Sequence, residues 1–285
     1  MILIDLSSIL YSSLHALPSD VTEGMLRHFV LNTIRSYNLK YRDRYGQMVI
    51  ACDAGNVWRK DIFPNYKANR KEARETREKD WDEIFRIFVV IRNELRDFIP
   101  CKLVWVDRCE ADDIIATIVE STQEFGCFED VMIISADGDY AQLQRYSNVK
   151  QFSPRTQKLM GEADPVGVLR KKIIKGDPGD GVPNILSHEN SFVDGVRQKN
   201  VSSKRLNEIL TNWNNLGTFL DPETLRRFRV NESLIDLSKI PEDRKTEILN
   251  AYRNTVIPSN KDVFSYLIAK RCGQLAGSAS DFFTK

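Results

Sequence analysis

The chain has 285 residues, of which 42% are hydrophobic and 28% are charged. This composition is typical of a globular protein with a sizeable core, and it excludes a disordered chain or a small disulfide-stapled domain. The 41 basic and 40 acidic residues leave a net charge of +1, so total charge indicates no partner. No apolar run is long enough to span a membrane and the N-terminus lacks the basic start of a secretion signal, so we expect a cytoplasmic protein.

Short apolar runs alternate with amphipathic stretches in the first half of the chain. Buried strands are predicted at residues 2–6, 48–52, 103–106 and 131–134, because these runs are short, rich in β-branched residues and largely uncharged. Helices are predicted over about 20–45, 80–98 and 110–125. Strands separated by helices indicate an α/β fold with a doubly wound, mostly parallel sheet. A further helix is predicted at 164–175, and helical spacing from about 185 onward indicates a smaller C-terminal helical domain.

Each predicted strand is followed at or just past its end by at least one carboxylate. These acids are Asp5, Asp53, Glu110, Asp112, Asp113, Asp137 and Asp139. Any one of them alone is more often a helix cap or a turn residue. The carboxyl ends of parallel strands form one edge of a sheet, however, so we expect the seven side chains to share a crevice. Crowded carboxylates repel each other unless cations neutralise them.

The metal expected in this crevice is a hard divalent cation. The five cysteines form no C-x-x-C pair and the chain has three histidines, so neither a zinc site nor a disulfide framework is indicated. Oxygen ligands favour magnesium or manganese, and two such ions about 4 Å apart are the arrangement that hydrolyses phosphodiesters. Motifs of dinucleotide-binding folds, P-loop enzymes and α/β-hydrolases are missing from the sequence.

A Gly/Pro-rich loop at residues 176–181 adds two further acids, Asp177 and Asp180. They are three residues apart on one loop, so both carboxylates could bind the same metal ion. The alternative is that the loop is a purely structural turn. The loop lacks the ligand spacing of an EF-hand.

The segment 58–81 is strongly charged, and from Asn65 to Lys79 it has almost no apolar residue beyond Tyr66 and two alanines. Four basic residues follow helical spacing i, i+3, i+4 and i+7, namely Lys67, Arg70, Lys71 and Arg74. A solvated, salt-bridged helix is the ordinary interpretation of such a run. Because the segment leaves the sheet directly after Asp53, it could instead hold phosphates above the acids, with Trp58 and Tyr66 either stacking on bases or anchoring the segment to the core.

Five ordered motifs together resemble the structure-specific 5′ nucleases, the family of flap endonucleases and the 5′-nuclease domains of bacterial polymerases, and most closely its phage ribonuclease H branch. They are LIDLS at 3–7, DAGNVWRKDIFPNYKANR at 53–70, EADD at 110–113, SADGD at 135–139 and KGDPGD at 175–180. The resemblance implies a PIN-like nuclease core at residues 1–160 with a helical arch at about 57–80. The remaining residues, 161–285, would form a C-terminal helical domain that contacts DNA and partner proteins.

The resemblance also implies a function. It is that of a magnesium-dependent 5′ to 3′ exonuclease and flap endonuclease, with manganese able to substitute, that removes RNA primers during lagging-strand replication. The expected substrates are DNA, RNA–DNA hybrids and 5′-flap or forked structures, acted on by a monomer in the cytoplasm, which is the host cytoplasm if the chain is phage-encoded. Expected protein partners are a single-strand binding protein and a sliding clamp.

Individual roles follow from the same resemblance. Ligands of a tighter metal ion would be Asp53, Glu110, Asp112, Asp137 and Asp139, and acids around a second position would be Asp5, Asp113, Asp177 and Asp180. Lys67 and Arg70 match the motif at the base of the arch, whose residues contact the scissile phosphate. Nucleic-acid contacts are expected from Arg59, Lys60, Tyr66, Lys67, Arg70, Lys71 and Arg74.

The sequence departs from the family pattern after Asp180. Gly181 stands where the family commonly has Asn, and residues 185–188 lack the glycines of the hairpin that grips duplex phosphate. We expect the paired aromatics of residues 280–283 either to dock on a sliding clamp or to belong to an unstructured tail. The alternative function is that of a non-catalytic replication accessory protein that binds branched DNA in the same groove.

Overall fold

A computed structural model of the chain describes residues 1–18, 20–70, 80–124 and 126–283. Six strands form one sheet in the order β3-β2-β1-β4-β5-β6. The first five strands are parallel and β6 pairs antiparallel with β5. The strands are β1 (Ile2–Asp5), β2 (Met48–Cys52), β3 (Lys102–Trp105), β4 (Val131–Ile134), β5 (Val149–Ser153) and β6 (Lys158–Met160). The predicted doubly wound, mostly parallel sheet is confirmed.

The described α-helices, in chain order, are α1 (Leu6–Ala16), α2 (Glu23–Tyr45), α3 (Arg59–Ile62), α4 (Trp81–Phe98), α5 (Ala111–Ser121), α6 (Pro165–Lys175), α7 (Ser203–Thr211), α8 (Leu216–Phe219), α9 (Pro222–Ile235), α10 (Glu242–Asn254), α11 (Asn260–Ala269) and α12 (Gly273–Ala276). Short 3₁₀ segments lie at Gly138–Arg145, Pro178–Asp180, Trp213–Asn215, Leu237–Lys239 and Ala279–Phe282. Among these described helices, none has the length and apolar character required to cross a membrane.

The chain folds into two compact units. The sheet unit comprises residues 1–55, 79–162 and 242–285, and the helical unit comprises residues 56–78 and 163–241. These units do not follow a single division of the chain, because one junction lies after Glu162 and others lie after Gly55 and Pro241. The nuclease core at 1–160 and the C-terminal domain at 161–285 stay a prediction. Residues 242–285 pack with the sheet rather than with the preceding helices, and the segment after Gly55 belongs to the helical unit.

Apolar strands explain the core of the sheet unit. Every residue of β1, β2 and β4 is buried, which matches strands that are covered on both faces. One face packs against the apolar stripes of α1, α2 and α4, and it also receives α11 and α12. Helices α5 and α10 pack against each other, and both contact β3. All of these helices therefore leave the carboxyl ends of the strands to the connecting loops.

The observed end of a helix matches the predicted end where a glycine follows the last helical residue. Helix α2 ends at Gly46, whose φ of +71° suits a residue without a side chain. Helix α5 ends at Ser121, short of the predicted residue 125.

The antiparallel hairpin of β5 and β6 was not predicted, because β5 carries Lys150 and Gln151 among its apolar residues.

Residues 280–283 are neither an unstructured tail nor an exposed docking motif, and both expectations for them are wrong. Phe282 is fully buried among the apolar residues of the sheet unit. The carboxylate of Asp281 lies 2.6 Å from the Arg35 guanidinium. The Nδ2 atom of Asn38 donates to the backbone carbonyls of Asp281 and Phe283 at 2.7 and 3.1 Å. Residues 280–283 are thus part of the fold.

The helical unit has its own core. It contains residues of α6, α7, α8 and α9, and it also includes Val57, Phe63 and Tyr66 from the segment that follows Gly55. The buried guanidinium of Arg59 donates to the carbonyl of Leu234 at 2.9 Å. The first part of the charged segment is therefore fixed by packing within this unit.

Candidate metal centre

Asp5 lies at the junction of β1 and α1 and is buried, with 8% of its surface exposed. As the N-cap of α1 it accepts a hydrogen bond from the backbone N–H of Ser8 at 3.1 Å through Oδ1. Its Oδ2 accepts from the hydroxyl of Ser135 at 2.8 Å. Ser135 directly follows β4, so these bonds connect the carboxyl ends of two adjacent strands.

Asp53 directly follows β2 and connects it to two helix starts. Its Oδ1 accepts from the backbone N–H of Ala111 at 2.8 Å, and its Oδ2 accepts a short hydrogen bond from the Ser7 hydroxyl. Ala111 is the first residue of α5, so Asp53 satisfies one of the N–H groups that have no partner within that helix. The carboxylate of Asp53 is thereby fixed beside the acids that open α5.

Three of those acids converge at the start of α5. Oxygen atoms of Glu110, Asp112 and Asp113, one from each residue, all lie within 4.8 Å of one another. The backbone N–H of Glu110 donates to Oδ2 of Asp113 at 2.9 Å, and that of Asp113 donates to Oδ1 of Asp112 at 2.8 Å. Glu110 and Asp113 are buried, and Asp112 is half-buried. The spacing of a helical turn thus brings together three oxygen donors.

Asp137 and Asp139 occupy the turn after β4. The N–H of Asp139 donates to Oδ1 of Asp137 at 2.9 Å, and Nε2 of the buried Gln151 donates to the carbonyl of Asp137 at 2.6 Å. The following 3₁₀ segment carries Tyr140, which is 1% exposed. The pKa of Tyr140 is raised well above its usual range by burial and then by four surrounding carboxylates, those of Asp5, Asp112, Asp137 and Asp53.

The crowding of negative charge changes the pKa of Asp5. Burial, followed by repulsion from Asp53 and then from Asp137, raises the pKa of Asp5 to about 7. Within the described residues, no lysine or arginine lies within ion-pair distance of these three carboxylates. These three carboxylates therefore carry charge that no basic side chain in the described residues compensates, and oxygen atoms of this kind are the donors that magnesium or manganese prefers.

All seven acids predicted from the strand ends belong to the sheet unit and follow its carboxyl edge. The structure joins Glu110, Asp112 and Asp113 and surrounds Tyr140 with four of the seven carboxylates. A crevice shared by all seven acids, and the role of each in metal binding, stay predictions. Sequence reasoning did not single out Ser135 or Tyr140, although both lie inside or next to the SADGD motif. Their contribution depends on side-chain packing between strands, which a motif does not show.

Asp177 and Asp180 belong to the helical unit, where each carboxylate has a basic neighbour. Asp177 lies 2.7 Å from Nζ of Lys172. Asp180 accepts from the hydroxyl of Tyr66 at 2.9 Å and forms ion pairs with Lys67 at 3.6 Å and, more closely, with Arg70. Burial alone would raise the pKa of Asp180, but Lys67, Arg70 and the Tyr66 hydroxyl outweigh it and lower the pKa.

The two predicted catalytic cations are thus fixed on the loop that carries Asp180. Lys67 adopts a left-handed backbone conformation with φ of +60°, and its N–H donates to the carbonyl of Asp180 at 2.8 Å. Gly181 also has a positive φ of +70°, and a Cβ there would lie 3.1 Å from Oδ1 of Asn69. Glycine at the position where the family commonly has Asn therefore allows close packing of this loop against the 65–70 segment.

Two of the predicted nucleic-acid contacts need correction. Arg59 and Tyr66 are 1% and 2% exposed, so neither presents a surface to a nucleic acid in this structure. The Arg59 guanidinium packs 4.6 Å above the ring of Trp58, which is itself buried, so of the two roles considered for Trp58 and Tyr66 the structure favours anchoring. Lys60 and Arg70 are exposed and Lys67 is half-buried. Lys71 and Arg74 lie outside the described residues.

Comparison with known families and proteins is consistent with this geometry. A family model described as the 5′-3′ exonuclease N-terminal resolvase-like domain matches residues 1–172. A second model, the C-terminal domain of T4 RNase H, matches residues 164–282. That range extends past residue 241, where the chain returns to the sheet unit.

Ribonuclease H of Enterobacteria phage T4 is 31% identical over 270 residues, which cover 91% of this chain and 87% of that protein. DNA polymerase I of Rhizobium leguminosarum is 27% identical over 268 residues, which are 24% of the polymerase. The T5 D15 protein co-crystallised with metal ions has a TM-score of 0.65 at 19% identity, covering 88% of this chain and 98% of its own. A complex of the T5 D15 flap endonuclease with DNA and metal ions has a TM-score of 0.63 at 19% identity, covering 89% and 99%.

Proposed function

Since the chain belongs to the 5′-3′ exonuclease family and is therefore a hydrolase of phosphodiester bonds, we propose that it is a two-metal 5′ to 3′ exonuclease and flap endonuclease. The proposed substrates are 5′-flap or forked DNA and RNA–DNA hybrids, and the proposed biological role is removal of RNA primers during lagging-strand replication. The observation that best supports the proposed nuclease activity is that seven carboxylates follow the carboxyl edge of the sheet. Binding of DNA and metal ions by the T5 relative is consistent with the same chemistry.

Magnesium is the proposed metal, in two ions. When bound, such ions activate a water molecule and stabilise the charge of the leaving oxygen. In the sheet unit, Asp53, Glu110, Asp112, Asp137 and Asp139 would hold the tighter ion, and Asp5 and Asp113 would support the second. Asp5 and Asp53 already accept one hydrogen bond on each carboxylate oxygen, which fixes their orientation and leaves a second lone pair on each oxygen for a metal or its water.

The helical unit would supply positive charge to the substrate. Lys67 and Arg70 are proposed to bind the scissile phosphate, and Lys60, Lys71 and Arg74 would contact the nucleic-acid backbone. In the structure, Asp180 pairs with both Lys67 and Arg70, so a phosphate would compete with this carboxylate for the same donors. Asp180 thereby orients the two cations, and the metal role predicted for Asp177 and Asp180 stays a prediction.

The protein is proposed to act as a monomer in the cytoplasm. A single-strand binding protein and a sliding clamp remain the expected protein partners by family analogy. The clamp would have to contact a surface other than residues 280–283, because Phe282 is buried.

The proposed function is tested with a 5′-labelled flap and an RNA–DNA hybrid incubated with magnesium or with EDTA. Asp112→Asn is expected to retain DNA binding and to lose turnover by several orders of magnitude. A neutral side chain at this position binds the metal ion less tightly, and this ion polarises the phosphate. The matched control is Asp97→Asn. Asp97 is an exposed carboxylate in the last turn of α4, at the opposite edge of the sheet, and its replacement should leave turnover unchanged.

Cleavage by Asp112→Asn at the wild-type rate would mean that the metal cluster is misplaced. Binding of branched DNA by the wild-type chain without any magnesium-dependent cleavage would instead support the non-catalytic accessory function.

A further inference from the structure

An exposed tryptophan ends the strand next to the one that Asp53 follows. Trp105 is the last residue of β3 and is 45% exposed, and it is the one exposed residue among the four tryptophans, all of which lie in described parts of the chain. In the parallel register, Trp105 is the partner of Cys52, the residue before Asp53. Neighbouring strands are about 4.8 Å apart, so the backbone of Trp105 lies within about two residue lengths of a predicted metal ligand.

A guanidinium lies near the Trp105 indole at the border of the apolar face of the sheet. Register places Trp105 on the face of the sheet that carries Leu103 and Cys52, and α4 covers this face. From α4, the guanidinium of Arg92 lies 5.9 Å from the centre of the Trp105 ring. No carboxylate lies within ion-pair distance of Arg92 in the described part of the chain.

An aromatic face and an unpaired guanidinium are the two groups that bind single-stranded nucleic acid. Bases stack on aromatic rings with little dependence on sequence, and arginine binds phosphate through its fork of N–H donors. Phosphate near the acid cluster would be repelled by its carboxylates, and a positive charge at Arg92 offsets this repulsion on the β3 side. The pair is therefore suited to an unpaired nucleotide next to the reacting phosphate.

We propose that Trp105 and Arg92 form a nucleotide platform, in which the indole stacks on an unpaired base of the cleaved strand and the guanidinium binds a neighbouring phosphate. This inference rests on the proposed function, because it places the platform next to the site of cleavage. The platform holds the substrate strand and takes no part in the chemical step. It is a positioning and specificity determinant, which favours substrates with an unpaired nucleotide at that point.

The first experiment distinguishes stacking of a base on the Trp105 indole from a structural role in which the indole only covers the β3 edge of the sheet. Trp105→Ala is expected to raise KM for a 5′-flap substrate by roughly 5- to 150-fold, which corresponds to the loss of one base–aromatic stack, with kcat within about twofold. Trp105→Phe should retain most of the affinity, whereas Trp105→Leu should behave as the alanine variant does. Phe128→Ala is the matched control, because Phe128 is 72% exposed in a loop of the same unit.

The second experiment needs no turnover. In EDTA at low salt, binding of a short oligonucleotide should quench tryptophan fluorescence in the wild-type chain and not in Trp105→Phe. Arg92→Gln should weaken binding and reduce the dependence of log Kd on log salt by about one, as expected for one lost phosphate contact. Arg92→Lys should restore the salt dependence.

The outcomes distinguish the platform from the proposed function. Unchanged KM and equal quenching in the Trp105 variants would overturn the platform, even if the wild-type chain cleaves DNA with magnesium. A lower melting temperature of Trp105→Ala with unchanged KM would assign the indole to coverage of the β3 edge and would also overturn it. Quenching that depends on Trp105 in a chain without nuclease activity would retain the platform and remove the proposed function.

Discussion

Replacement of Asp5 by Asn is expected to stabilise the metal-free protein while abolishing its cleavage activity. Asp5 is buried at the end of β1, and burial together with repulsion from Asp53 and Asp137 raises its pKa to about 7. In the unfolded chain the same group titrates near 3.8. The folded protein therefore binds this proton more tightly than the unfolded chain does.

The sign and size of the effect follow from linkage. Between about pH 4 and pH 7 the unfolded chain has lost the proton and the folded protein retains it, so stability of the wild-type chain falls as the pH rises. A rise in pKa from 3.8 to about 7, at about 1.4 kcal/mol per pKa unit, corresponds to a penalty of about 4 kcal/mol above pH 7. Asparagine keeps the shape and carries no charge, so the variant should recover up to this amount.

The assay is urea unfolding followed by circular dichroism in EDTA, at pH 4 and at pH 8. Asp5→Asn should match the wild-type chain at pH 4 and exceed its stability at pH 8. Saturating magnesium should then stabilise the wild-type chain more than the variant. In the wild-type chain the ion offsets the repulsion between Asp5 and its acidic neighbours, whereas in the variant the substitution has already removed that repulsion. Asp262→Asn, at an exposed position in the first turn of α11, is the control and should change little.

Equal stability of the wild-type chain and Asp5→Asn at pH 8 in EDTA would refute the reasoning. It would show that the Asp5 carboxylate is either solvated or compensated by positive charge, and the case for a metal at this edge of the sheet would lose its electrostatic basis.

Three further predictions concern other parts of the molecule. Lys67→Ala should slow cleavage by about 100-fold at saturating magnesium, through lost charge stabilisation, while the magnesium concentration for half-maximal rate stays unchanged; an equal loss of metal affinity would assign Lys67 a structural role through Asp180. Arg27→Met should lower the free energy of unfolding by about 3 kcal/mol in urea titrations, because it leaves the carboxylate of Glu94 buried without its closest partner, at 2.6 Å. Phe282→Ala should cost about 3–5 kcal/mol in the same assay, and a cost below 1 kcal/mol would show that the chain end is not packed.

Sequence periodicity was sufficient for the elements whose signals are local. β1, β2 and β4 are short apolar runs buried on both faces, and α2 and α6 end at glycines with positive φ. The hairpin of β5 and β6 was not predicted, because β5 carries Lys150 and Gln151 among its apolar residues and β6 is a short, exposed edge strand. The grouping of acids was also accessible from sequence, because parallel strands place their carboxyl ends at one edge whatever the details of packing.

Which charges are compensated was decided by tertiary structure. Asp5 and Asp180 are both acids in motifs of the same family, yet burial among carboxylates raises the pKa of the first and basic neighbours lower that of the second. Arg59 and Phe282 belong to segments that look exposed from composition, and contacts with residues far away in the chain bury both. The family, the sheet and the edge where the acids gather can thus be predicted without a structure. The tertiary structure alone decided which side chains face solvent and which carry uncompensated charge, because both depend on neighbours distant in the chain.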